Sequence, residues 1–327
     1  MLRRLLGEDG PCPPFDPNRN RYDLSTFVGR LQHFREVTDP VMLLTSDAEL
    51  QRCQELLRRH GRGEAAGASD EQLWDAKRVV DAMVHPTTHE KMLLPGRVSA
   101  IVPVYTVPTV GMLASTSPAA TVFWQWVNQS VNVLTNYTNR SGATVDWAQI
   151  AQAYGLAVAV SCSIAIGARK LVQSGPPAVK RLGLAVPYAA VVTAGGANTA
   201  FTRLPEMRAG VPVVAPDGTP LGVSRAAATS AVVNTVLSRN LLLPIAPMLL
   251  PPLAMLALRS AMPLGPIAAV AAETGLVAGC LYGALPVAIA VFPQEMTIPV
   301  SSLEPEFAGR RDSAGRPVEV VRCNKGL

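Results

Sequence analysis

Hydrophobic positions in this chain gather into long runs that no charge interrupts, and these runs begin only after Arg97. Residues 98–139 hold 42 positions without Asp, Glu, Lys, Arg or His. Four more charge-free runs follow at 147–168, 182–202, 240–258 and 274–294, of 22, 21, 19 and 21 residues. About 20 apolar residues of helix cross the hydrocarbon of a bilayer, so the pattern predicts five spans, the first over residues 98–118. Proline falls inside several of them, at Pro103 and Pro108, at Pro244, Pro247, Pro251 and Pro252, and at Pro286. Each removes a backbone donor and frees a carbonyl that lipid cannot satisfy, so broken helices of this kind belong where a cavity or another helix faces the break.

The first 97 residues follow another rule. They carry 14 Lys or Arg and 15 Asp or Glu, and their apolar positions recur at helical spacing. One helix is predicted behind Ser46 and a second behind Ser69, each serine placed to cap the first turn, with residues 63–67 joining them. Between the third and fourth runs, residues 211–223 read as two short extended pieces around Asp217-Gly218, a hairpin outside the membrane. The expected organisation is an aqueous N-terminal region (1–97), a transmembrane domain (98–294) and a C-terminal tail (295–327), in an all-α, multi-pass fold with proline-broken helices.

Within the longest run, Gln125, Asn128, Gln129, Asn132, Asn136 and Asn139 recur at steps of three and four, which puts them on one face of a helix. Val127, Val131 and Leu134 fall on another, and Trp124 and Trp126 fit an interfacial aromatic belt. Amides need hydrogen-bond partners out of water. The stripe therefore either lines a polar path or lies at the membrane surface, and spacing alone does not separate the two.

Composition agrees with the pattern. The chain has 327 residues, 49% hydrophobic and 16% charged, against roughly a quarter charged in typical soluble domains. The net charge of +5 comes from basic residues scattered between apolar runs, which read as anchors at a membrane surface and not as a nucleic-acid patch. Their balance on the two sides gives no orientation. Cys12, Cys53, Cys162, Cys280 and Cys323 form no CxxC pair, so neither a metal site, a cofactor nor a disulfide framework is expected. With four histidines and no hydrolase or metalloprotease motif, an enzyme is not expected either.

Single residues add candidates. Arg239 and Glu273 are the charges that interrupt residues 226–258 and 260–294, and an intramembrane charge is a functional candidate by default. Each also reads as an interfacial or loop-end residue. His85 precedes Pro86, which disfavours helix, and residues 85–97 lead straight into the first span, so His85 and Arg97 are candidates for a gate. Gly195-Gly196 reads as a close helix contact, since no phosphate-loop pattern accompanies it.

The wording of the amide block is itself distinctive. Phe123-Trp124-Gln125-Trp126-Val127-Asn128-Gln129-Ser130, followed by Asn136-Tyr137-Thr138-Asn139, resembles the signature of the sideroflexins, multi-pass proteins of the mitochondrial inner membrane. The block from Tyr22 to Arg30, His33-Phe34, Glu71 to Lys77, Phe292-Pro293-Gln294, Ser302 to Glu306 and the final Asn324 to Leu327 agree with the same family. Two departures stand out. An acidic position after His85-Pro86 is Thr87, and a pair of asparagines around a cysteine in the third span becomes Ala194-Gly195-Gly196-Ala197-Asn198, leaving Asn198.

The resemblance implies a carrier of small metabolites, serine and related neutral amino acids first, citrate-type tricarboxylates second. A non-transporting assembly factor with inner-membrane protein partners is a third reading. A tricarboxylate favours converging cations, and the spans offer only Arg239 and the flanking Arg97 and Arg203. A zwitterion is served by amides, helix ends and one carboxylate. The expected partners are thus an amino-acid substrate and the lipid bilayer, with no nucleic acid.

Overall fold

The computed structural model describes residues 12–64, 67–139, 147–176, 185–293 and 295–324. The chain divides into two compact units, Met1–Ile150 with Ala246–Ala290, and Ala151–Ile245 with Val291–Leu327.

The first unit opens with three helices, α1 (Phe27–Val37), α2 (Asp47–Gly61) and α3 (Asp70–Met83). Their starts are the expected ones. Ser46 Oγ accepts from the Glu49 amide, and Ser69 with Gln72 forms a capping box that satisfies two orphan amides reciprocally. Helices α2 and α3 share a core of Met42, Leu50, Cys53, Ala76, Val79 and Met83. Tyr22 donates to Glu36 Oε1 at 2.5 Å, and burial together with that carboxylate pushes the phenol well above its usual range.

Arg30 fastens this region to the last apolar helix, α11 (Pro266–Val291; α4 to α10 are placed below). Its Nε donates to the Ala290 carbonyl at 2.7 Å, and Nη1 donates to the carbonyls of Leu24 and Ser25 at 3.0 and 2.8 Å. Ala290 lies in the final turn of α11, whose carbonyls have no partner within the helix. A cation there also meets the negative end of the helix dipole.

Next comes a helical hairpin, α4 (Ile101–Ala114) and α5 (Pro118–Thr138), turned at Ser115–Ser117, with Ser117 capping α5 and Pro118 at its first position. The helices approach closely because Gly111 faces the Trp124 indole and Gly96 faces Thr138. A Cβ at either glycine would be driven into that side chain. The Trp124 indole packs against Gly111 of α4 and is half-buried, while Trp126 is 47% exposed.

The remaining helices are α6 (Trp147–Ser174), α7 (Ala185–Thr202), α8 (Leu204–Ala209), α9 (Arg225–Thr235) and α10 (Ile245–Ala261), with a π-helical segment at Val236–Leu242. Three described helices are long and apolar enough to cross a membrane: Ile150–Ser174, the run Arg225–Ala261, and Pro266–Val291. The other two expected spans are helical where described, Val98–Ala114 over 17 residues and α7 over 18 described residues. Leu256 and Ile267 are 69% and 87% exposed, a cost in water that a lipid environment removes. The fold is a mostly α-helical, multi-pass membrane protein.

The second unit adds what helical spacing did not reveal. The expected hairpin is present as β1 (Val211–Val214) and β2 (Pro220–Ser224). In the C-terminal segment, residues 295–324 contribute β3 (Glu295–Pro299) and β4 (Val320–Asn324), which complete an antiparallel sheet in the order β2-β1-β4-β3. Val213, Leu221, Met296, Ile298, Phe307 and Val321 form its core with Ala227 and Ala231 of α9. Alternation in residues 295–299 is the signal for β3, since Met296 and Ile298 are buried and Glu295, Thr297 and Pro299 exposed.

Glu304 ties this tail to α9 as a cap from a distant part of the chain. Its carboxylate accepts from Ser224 Oγ at 2.7 Å and from the Arg225 and Ala226 amides at 2.7 and 2.9 Å. Ser224 is itself the N-cap of α9, so one carboxylate and one hydroxyl serve the first turn. Burial alone would raise the Glu304 carboxyl, but these hydrogen bonds outweigh it and hold it at about 2. Asp217 plays a similar part, accepting from Thr219 and from the amide and hydroxyl of Ser313.

Candidate functional site

Within the second unit, α7 packs on the π-helical segment along a seam of small and uncharged polar residues. Gly195 and Gly196 make the approach possible: a Cβ at Gly195 would sit 3.2 Å from the Asn240 amide, and one at Gly196 would meet Val236. The close contact read from the glycine pair is therefore present, and the space at position 195 is filled by Asn240. That side chain donates to Thr199 Oγ1 at 2.7 Å. The adjacent Asn198 accepts the Thr202 hydroxyl through its carbonyl at 2.8 Å and its side-chain oxygen at 3.3 Å.

The π-helical turn explains why such groups collect here. One extra residue per turn breaks the usual hydrogen-bond register, and such bulges recur at functional sites. Leu243 N reaches back to Ser238 O at 3.2 Å, five residues earlier. The Leu241 carbonyl accepts the Tyr188 hydroxyl from α7 at 2.9 Å. The segment thus widens the helix in the middle of an apolar run; Asn240 turns to Thr199 of α7, and Ser238 donates to the Thr235 carbonyl of its own helix.

Arg203 closes the lower end of the seam. It is 7% exposed; Nη1 donates to Thr235 Oγ1 at 2.9 Å, and Nε and Nη2 donate to Glu206 Oε2 at 2.9 and 2.6 Å. The guanidinium is a paired charge, held by a carboxylate three residues away, and the seam above it presents hydroxyls and amides. Asn198, Thr199 and Asn240 of the seam are uncharged, and the Arg203 guanidinium is paired. Among the described residues, no group of three or more His, Cys, Asp or Glu is placed to hold a metal ion.

Within the first unit, several residues of the amide stripe make contacts between segments. Gln125 and Gln129 are 6% and 2% exposed, and Asn132 accepts the Tyr105 hydroxyl of α4 at 2.7 Å while donating to Gln129 Oε1 at 3.3 Å. Asn139 donates to the Gly96 and Thr135 carbonyls. Asn128 is half-buried, and Asn136 is exposed. Toward the C-terminal end of α5 the buried positions shift to Thr135 and Thr138, and Thr138 packs on Gly96 in the turn before α4. Inside this unit the stripe joins α4 to α5.

His85 and Arg97 are both buried, at 3% and 2% exposure. His85 Nδ1 accepts from the Thr87 and Thr88 amides at 3.2 Å each, inside a loop closed by a Val84–Lys91 bridge. His89 in that loop has φ 58°, and Lys91 pairs with Asp47. Arg97 Nε and Nη2 donate to the Met92 carbonyl. Both candidates lie in the segment that leads into α4, beside a recess of about 180 Å³ lined by His85, Glu90, Lys91, Tyr137 and Thr138. Glu273 lies two turns inside α11, half-buried, and is not a loop-end residue. The backbone of Arg239 belongs to the π-helical segment; its side chain lies outside the described residues.

Sequence reasoning passed over Asn240, Thr199, Thr235 and Tyr188. The rule that singled out the stripe, a polar residue in an uncharged run, applies equally to Asn240 at the head of residues 240–258.

Comparison with known proteins matches the chain to the family model described as "Sideroflexins" over residues 16–327. Among curated proteins it is 40% identical over 321 residues to Sideroflexin-3 of Homo sapiens, covering 96% of this chain and 99% of that one. It is 39% identical over 322 residues to Sideroflexin FSF1 of Saccharomyces cerevisiae (96% and 98%), and 37% identical over 326 residues to Sideroflexin-1 of Ovis aries (97% and 99%). No solved structure matches. With the family pattern matched from Asp16 to Leu327 and relatives alike over nearly their whole length, this chain belongs to the sideroflexin family.

Proposed function

We propose that the protein is a transporter of the mitochondrial inner membrane that carries small neutral amino acids, serine foremost, by alternating access. Family membership supports a carrier role and that location. The seam between α7 and the π-helical segment supports the substrate class: Asn198, Thr199 and Asn240 are uncharged donors and acceptors, and the nearby Arg203 is already neutralised by Glu206. A zwitterion of serine's size is matched by such groups, whereas a tricarboxylate would leave its charges unpaired in a low-dielectric site. Purified protein in liposomes loaded with unlabelled serine should exchange external labelled serine in a saturable manner, and excess citrate should compete poorly. Saturable citrate uptake with no serine uptake would replace this reading with the tricarboxylate one. Uptake of neither, with retained binding of inner-membrane assembly proteins, would replace it with the assembly-factor reading.

A further inference from the structure

Helix α5 has its polarity reversed relative to a helix on a water-soluble domain. Its fully buried residues are Gln125, Gln129, Thr135 and Thr138. Its exposed residues are Pro118, Ala119, Val122, Phe123, Trp126 and, in the last turn, Asn136. A helix at a water interface buries its apolar stripe and exposes its amides; this one does the opposite. Along the stripe, Asn132 accepts from Tyr105 of α4 and donates to Gln129, and Asn139 donates to the Gly96 carbonyl.

The outward face continues onto α4, where Val107 is 58% exposed, and a shallow apolar groove runs along Pro118, Ala119, Val122, Phe123 and Trp126. No charge occurs anywhere in residues 98–139. At 21 residues, α5 measures about 31 Å at 1.5 Å per residue, close to the ~30 Å hydrocarbon thickness. Overall hydropathy conceals this, because the amides lower the average while being hidden from the lipid.

We infer that α4 and α5 enter the bilayer together as a hydrogen-bonded helical hairpin, with Val107, Val122, Phe123 and Trp126 facing acyl chains and the amide stripe acting as internal glue. The occupant of the groove is lipid. The inference concerns the membrane placement of these helices and stands independently of any substrate.

The test uses the full-length protein in liposomes and its own tryptophans. Emission of the native protein minus that of Trp126→Phe, a conservative change at an exposed position, isolates Trp126. Phospholipids brominated at mid-chain should reduce that difference emission by about two-fold or more, while aqueous iodide leaves it nearly unchanged, as expected for an indole below the interface. Quenching by iodide in preference to bromine would overturn the inference by placing α5 at the water surface. Quenching by neither would overturn it as well, since the face would then be covered by protein.

Discussion

Arg30 is where the N-terminal region is most open to a quantitative test. Replacing it with alanine strands three carbonyls. Those of Leu24 and Ser25 lie in a partly exposed stretch, where water substitutes for the guanidinium at little net cost. The Ala290 carbonyl belongs to a residue with 0% exposure and keeps the full penalty of a buried acceptor without a charged donor, roughly 1.5–3 kcal/mol. Adding the packing lost with the Arg30 side chain, Arg30→Ala should destabilise by about 3–4 kcal/mol. Arg30→Lys retains a cation but not the fork that reaches three carbonyls, and about 1–2 kcal/mol is expected. A unit of this size loses ~2–4 °C of Tm per kcal/mol, so the alanine variant should melt roughly 6–15 °C lower. Intrinsic tryptophan fluorescence in detergent, at fixed scan rate, measures this. Arg19→Ala, which removes a pair at an Arg 82% exposed, serves as the control and should change stability by less than about 0.5 kcal/mol. Equal melting of Arg30→Ala and Arg19→Ala would refute the claim that Arg30 fastens the end of α11.

Glu304 carries a pH prediction. Its carboxyl is held at about 2 in the folded chain against roughly 4.3 when unfolded, so its stabilisation is fully present above the unfolded value and is lost as pH falls through the folded one. The native protein should lose stability between about pH 5 and 2 more steeply than Glu304→Gln, whose melting curves should lie lower at neutral pH and converge with the native ones in acid; parallel curves would exclude the long-range cap. Asn240→Ala removes the Thr199 contact at the widened helix and should lower serine exchange several-fold with normal membrane insertion, while Asn132→Ala should loosen the hairpin and affect thermal stability first; the reverse pattern in liposome uptake and melting would return the path to the amide stripe. His89 has a left-handed backbone conformation that costs a side-chain-bearing residue ~1–2 kcal/mol, so His89→Gly should raise stability by about 0.5–1 kcal/mol after its own unfolded-state entropy is counted, and a fall in Tm would show that its side chain contributes more than the strain costs.

The sequence by itself determined what depends on local physics: helix starts at Ser46 and Ser69, apolar runs of membrane length, the hairpin at Asp217-Gly218, and a family wording dense enough to recognise from both ends of the chain. These follow from periodicity, capping and turn chemistry within a few residues. Only the tertiary structure decided which polar residues meet. The spacing of Gln125, Gln129 and Asn132 put them on one face but did not say that Tyr105 of the preceding helix would occupy it. The glycines at 195 and 196 announced a close approach but not that Asn240, some 45 residues on, would fill the space. Glu304 looked like part of a tail until Ser224 and the amides of α9 were seen around it, some 80 residues away. Hydrogen bonds across such separations depend on where helices cross and strands pair. That geometry is set by packing of the whole unit, and no window of the sequence contains it.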